Sequence, residues 1–146
     1  LGKKVEKLTK KQGNDFQPNL SPQGDLLTWS KFDTLFKSST LMLGNINALD
    51  DSKELTSPDS FAVDPRWHPS GQYILFSYNN KDPKNYELFI YDLKTKCLKR
   101  LTYLESSERY PAFSPDGNRI AFSSNLNGSS QIFEMNFLPP KACSSN

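Results

Sequence analysis

Apolar residues in this chain come in short runs, and polar stretches rich in turn formers separate them. Three runs stand out: Leu26-Leu-Thr-Trp-Ser30, Tyr73-Ile-Leu-Phe-Ser77 and Arg119-Ile-Ala-Phe-Ser123. On one face of each lie Leu27 and Trp29, Ile74 and Phe76, Ile120 and Phe122. The positions between them hold Thr28, Leu75 and Ala121, small or apolar, so neither face is clearly wet. A strand sandwiched between two neighbouring sheets has this pattern. A second set of runs follows each polar loop: Thr40-Leu-Met-Leu-Gly44, Tyr86-Glu-Leu-Phe-Ile-Tyr91 and Gln131-Ile-Phe-Glu-Met135. The loops are assigned to Asp33–Ser39, Asn79–Asn85 and Asn125–Ser129. Apolar residues recur nowhere at spacings of three, four and seven over a useful length, so the pattern predicts an all-β chain without helices.

The runs repeat as units. Pro18-Asn-Leu-Ser-Pro-Gln-Gly24, Pro65-Arg-Trp-His-Pro-Ser-Gly71 and Pro111-Ala-Phe-Ser-Pro-Asp-Gly117 are three versions of one phrase. Leu8-Thr9, Leu55-Thr56 and Leu101-Thr102 keep the same beat. A period of about 40–45 residues with four short strands is that of a propeller blade. The second proline of each phrase sets the dihedral of a type I turn and the glycine suits its exit, so a hairpin joins the first strand to the second. Lys94-Thr-Lys-Cys-Leu-Lys-Arg100 alternates mostly charged and polar residues, as an outer edge strand should.

The ends of the chain do not match. Lys3-Lys-Val-Glu-Lys-Leu-Thr9 reads as a fourth strand with no first three, and the third unit stops after its third strand. The tail Phe137-Leu-Pro-Pro-Lys-Ala-Cys143 carries two prolines, which do not feed a regular ladder. The expected organisation is therefore an N-terminal closing strand over 1–12, blade 1 over 13–57, blade 2 over 58–103, and a third blade with its tail over 104–146. That third blade lacks a regular fourth strand of its own. Three blades are too few to close a ring, which typically holds about 4–8.

Composition narrows the functional classes. The 146 residues carry a formal net charge of +2, too little to argue for nucleic acid. Lys3, Lys4, Lys7, Lys10 and Lys11 form the one basic cluster, and an edge strand explains it equally well. No apolar run approaches the length of a transmembrane helix. Cys97 and Cys143 permit one bridge and demand none, within the chain or between chains.

Tyr110-Pro-Ala-Phe-Ser-Pro-Asp-Gly-Asn-Arg-Ile-Ala-Phe-Ser-Ser-Asn125, followed by Gln131-Ile-Phe-Glu-Met-Asn136, resembles the propeller repeat of TolB-like proteins. The third unit matches nearly throughout. The second departs at His68 and Ser70, the first at Leu20 and Gln23. The resemblance implies a six-bladed propeller, of which this chain would be half. It also implies a periplasmic or extracellular setting and a role in binding proteins. Related repeats stand beside the catalytic domain of prolyl-oligopeptidase-like enzymes. No functional residue carries over from either group.

Candidate chemistry is sparse. His68 is the only histidine and sits in a turn. Neither a nucleophile elbow nor a metal-binding spacing of Cys or His accompanies it. The expectation is therefore no enzyme activity, no catalytic residue, no metal and no cofactor. Asp15, Asp64 and Glu108 recur just before the first strands, with Arg66, Arg109 and Tyr110 beside them. In a propeller these positions lie at a channel mouth, where they form a candidate site for a protein or peptide; the alternative is that they satisfy one another and the turns. Trp29, Trp67, Phe76, Phe113 and Phe122 read as inter-blade core. Of two glycosylation sequons, Asn127 lies in a predicted loop and Asn19 in a predicted strand.

Two bare blade faces would each expose a contiguous apolar patch, and something must cover them. The expected partner is the chain itself. Two copies head to tail would complete six blades, with Val5, Lys7, Leu8 and Thr9 of each finishing the third blade of the other. A filament or tubule is the outcome if the rotation does not close. A piece of a longer propeller is the third possibility. The expected partners exclude nucleic acid and membrane insertion.

Overall fold

The computed structural model describes residues 2–143. Three antiparallel sheets follow one another along the chain. The first contains β1 (Asn14–Leu20), β2 (Leu26–Phe32), β3 (Ser39–Asn45) and β4 (Lys53–Glu54), in that order. The second contains β5 (Ala62–Trp67), β6 (Tyr73–Tyr78), β7 (Glu87–Asp92) and β8 (Cys97–Arg100). The third has three strands, β9 (Glu108–Phe113), β10 (Arg119–Asn127) and β11 (Ser129–Asn136). A single 3-10 turn, Leu49–Asp51, precedes β4. The sheets stand side by side through their first strands, β1 against β5 and β5 against β9.

The proline phrase does two jobs. Its second half is the expected turn: the N–H of Gly24, Gly71 and Gly117 donates to the carbonyl of Ser21, His68 and Ser114 at 2.9, 2.9 and 2.8 Å. Each glycine has φ between 75° and 78°, where a side chain is costly. Its first half is a bulge in the inner strand. Pairing with the second strand skips Gln17-Pro18, Asp64-Pro65 and the segment that holds Tyr110-Pro111. Proline lacks the N–H that the bulge would otherwise leave unpaired. The residue before it turns left-handed in all three units, with φ of 57° at Gln17, 59° at Asp64 and 54° at Tyr110.

The Leu-Thr phrase also has a physical reason. Leu55 and Leu101 donate their N–H to the carbonyls of Leu41 and Leu88 at 2.8 and 2.7 Å. The Thr56 and Thr102 hydroxyls accept the N–H of the same two leucines at 3.0 and 2.9 Å. The phrase thus ties the end of each outer strand to the start of the third.

The core lies between sheets. Leu41, Ala62, Trp67, Ile74 and Phe76 fill the first junction. Leu75, Leu88, Ile90, Ile120, Phe122 and Phe137 are buried in the second. Every residue of β6 is buried, as expected of a strand with a sheet on either side. In β10 the burial alternates, because one face has no neighbour.

Two expectations change. Asn125–Ser129 is not an open loop: β10 and β11 run on to a tight turn at Gly128, whose φ of 97° suits glycine. The bare end faces are less apolar than three identical blades would give. On the third sheet Arg119 and Glu134 pair at 3.3 Å in the exposed face, with Ala121 and Ile132 beside them. On the first sheet Leu27 and Trp29 are already buried, in a cluster with Met42 of the same sheet and Leu49 of the 3-10 turn. Residues 2–10 form no ladder with any described strand of the single chain, and Val5 and Lys7 are exposed.

Candidate inter-blade site

The bulge decides which side chains meet. A left-handed residue in the inner strand throws its side chain across to the next sheet. Gln17 Oε1 accepts the N–H of Asp64 at 2.8 Å, and Gln17 Nε2 donates to Asp64 Oδ1 at 2.7 Å. One unit on, Asp64 Oδ2 accepts the N–H of Tyr110 at 3.1 Å. So each unit's bulge residue holds the backbone of the next. Arg109 adds charge to the second link, with Nε 2.7 Å from Asp64 Oδ2. Its guanidinium lies over the rings of Tyr86 and Tyr110, at 4.7 and 4.8 Å. Burial lowers the affinity of Arg109 for its proton, but the hydrogen bond to Asp64 and its charge outweigh that and raise it. Asp64 is buried, and the exposed surface of the group is the Tyr110 ring and part of Arg109.

The sequence-predicted rim divides. Asp64, Arg109 and Tyr110 come together. Asp15 lies elsewhere, accepting from Trp29 Nε1 at 2.8 Å and pairing with Lys31 at 3.4 Å. Arg66 donates to the carbonyl of its neighbour Pro65 at 2.9 Å. Glu108 is buried away from the rim. Repeat register explains the split. Asp15, Ala62 and Glu108 share one position, whereas Gln17, Asp64 and Tyr110 share the bulge position two residues later. Sequence reasoning missed Gln17, although its place before Pro18 marks it.

Glu108 belongs to a second polar group. Its carboxyl accepts from Ser106 and Ser124 at 2.5 and 2.9 Å. Glu87 stands close enough to hydrogen-bond with it and itself accepts from Thr102 at 2.5 Å and from Arg100 at 2.6 Å. Burial pushes the Glu108 carboxyl above its ordinary range; the two serine hydroxyls oppose this and Glu87 reinforces it.

The remaining candidates are placed as follows. His68 stays in its turn, with Nδ1 2.8 Å from Ser70 Oγ and Nε2 3.1 Å from the carbonyl of Gly117. Its ring packs edge-on against Phe113 at 4.8 Å. No carboxylate orients it, so the Ser-His contact lacks the third member of a triad. Among the described residues no three His, Cys, Asp or Glu side chains gather as metal ligands. Cys97 and Cys143 are joined in a disulfide, with Cα atoms 5.8 Å apart, which carries the tail back to β8 of the second sheet. Leu8 and Thr9 lie along the first sheet, where Leu8 lines open hollows with Phe16, Pro18, Leu20 and Leu27. Asn127 is exposed, next to the Gly128 turn.

Repeated antiparallel sheets, joined through bulged inner strands, make this a β-propeller segment. The TolB β-propeller domain family matches residues 2–142, and the chain belongs to that family. It is 28% identical to the Tol-Pal system protein TolB of Nitratidesulfovibrio vulgaris over 88 residues, 60% of this chain and 19% of that protein. TolB of Agrobacterium tumefaciens superposes with a TM-score of 0.74 at 16% identity, covering 87% of this chain and 47% of that one. A puromycin-hydrolyzing peptidase of Mycobacterium tuberculosis gives 0.71 at 14% identity, covering 87% and 21%. The chain thus spans less than half the length of these relatives. Among the described residues no helix is long and apolar enough to cross a membrane.

Proposed function

We propose that the chain is a non-catalytic propeller module, structural and protein-binding, which is completed head to tail by a second copy. Three blades and three make the six of a TolB-like ring. The supporting observation is that, among the described residues, no strand pairs with the outer edge of β11 and the Leu8-Thr9 phrase has no ladder partner. A ring is the expected product, and a filament follows if the rotation does not close. Arg109 and Tyr110 offer a protein or peptide partner a cationic and aromatic surface at the inner rim. The Cys97–Cys143 disulfide favours an oxidising compartment, periplasmic or extracellular. Light scattering across a concentration series tests the reading: mass must rise above that of one chain.

A second reading has its own support. Because the chain spans under half of the relatives it matches, it reads equally as a section of a longer propeller whose other blades cover both ends. On that reading the isolated chain stays monomeric.

A further inference from the structure

We infer that the third blade of a second copy seats on the first blade of this one, with its Ile132 side chain entering the hollow between Leu8 and Leu27. The inference rests on the head-to-tail reading and adds the residues of the junction.

The same junction occurs twice inside the chain. Ile46, Leu93 and Phe137 each donate an N–H to the residue before the second strand, Asp25, Gln72 and Asn118. That fixes the register of the three units. Five residues earlier in each stand Leu41, Leu88 and Ile132. Leu41 and Leu88 are 0% exposed, whereas Ile132 is 78% exposed. Leu41 packs in the cluster of Ile74, and Leu88 in that of Ile120. The first-sheet counterpart of Ile74 and Ile120 is Leu27.

The receiving half is open. Leu8, Pro18, Asn19, Leu20, Leu27 and Ile46 line a hollow of about 330 Å³. Leu8 is therefore placed against blade 1 much as Leu55 is against the second sheet and Leu101 against the third. The backbone is complementary too. Ile132 lacks the threonine that receives the N–H of Leu41 and of Leu88, and Thr9 is the unused copy of it. The same chain cannot close on itself in this way. The first and third sheets do not touch, and Leu8 lies by Leu27, whose cluster contains no residue of the second sheet. Arg119 and Glu134 flank Ile132 where the second sheet has Tyr73 and Ile90, so the junction is smaller and more polar than the internal ones, and reversible.

The test uses Ile132→Asp, Leu8→Asp and Ile132→Leu in sedimentation equilibrium. Both altered positions are exposed in the single chain, so each variant folds, which circular dichroism checks. Self-association weakens at least about tenfold in either Asp variant, the value of one buried aliphatic side chain. Ile132→Leu keeps it. An equimolar mixture of the two Asp variants recovers one intact junction and associates more tightly than either alone. If the wild-type chain associates and both Asp variants match it, the junction is wrong while the head-to-tail reading stands. If the wild-type chain is monomeric throughout, both fall, and the ends belong to other blades.

Discussion

The side chain of Gln17 holds the backbone N–H of Asp64 at 2.8 Å, and Asp64 repeats the contact on Tyr110. Blades in this chain are thus latched by the residue before each phrase's first proline. The left-handed bulge that positions it is locally costly, and the cross-blade hydrogen bonds offset that cost.

Asp64 carries the most in this chain of contacts. Asp64→Ala removes the acceptor for Arg109, for Gln17 and for the Tyr110 N–H. It is expected to destabilise the chain by about 2–3 kcal/mol, somewhat less than the usual cost of breaking a fully buried pair, because Arg109 is partly solvated. Asp64→Asn keeps one acceptor oxygen and tolerates positive φ, so it costs less. Urea unfolding measures both, and equal losses would refute the latch.

The threonines of the Leu-Thr phrase divide by whether they have a partner. Thr56→Val and Thr102→Val each leave a buried leucine N–H unpaired and cost about 1–3 kcal/mol. Thr9→Val touches no such bond within the chain and stays within about 0.5 kcal/mol in a dilute monomer. Thermal unfolding at low concentration compares the three.

Acidity separates Glu108 from Asp92. Its folded pKa is raised, so the stability it contributes is full at acid pH and is lost as pH rises through the raised value. Asp92 behaves oppositely. Burial pushes it up, but hydrogen bonds from Gln72, Lys94 and Thr95 outweigh this, and its contribution is lost as pH falls. The stability difference between wild type and Glu108→Gln therefore shrinks, or turns against the wild type, from pH 4 to pH 8. A difference independent of pH would exclude the raised acidity constant of Glu108.

Much of the fold was legible because its determinants are local. Strand alternation, the Ser-Pro-x-Gly turn and the Leu-Thr beat are set within a few residues. The site was legible only in part. Asp15, Asp64 and Glu108 all stand just ahead of a proline phrase, yet only Asp64 is the residue directly before its first proline, and the bulge there puts its carboxylate on the inter-blade latch. Asp15 and Glu108, two residues earlier in the repeat, meet Trp29 and Glu87 instead. The partner of Glu108 lies 21 residues away on β7, and no spacing announces it.

The disulfide ties the tail to β8. Cys143→Ser is expected to lower stability by about 2–4 kcal/mol, the usual value of a native bridge. Reducing agent should reproduce the loss in the wild type and have no effect on the variant. A variant as stable as the oxidised wild type would show that the tail contributes nothing to the fold.

Completion by a second copy is tested most directly by the mass of the chain in solution. One chain weighs 16.6 kDa. Multi-angle light scattering over a rising concentration series should pass from that mass to twice it, or to a growing particle if the ring does not close. A mass that stays at one chain at every concentration, with the protein folded and soluble, would contradict the account.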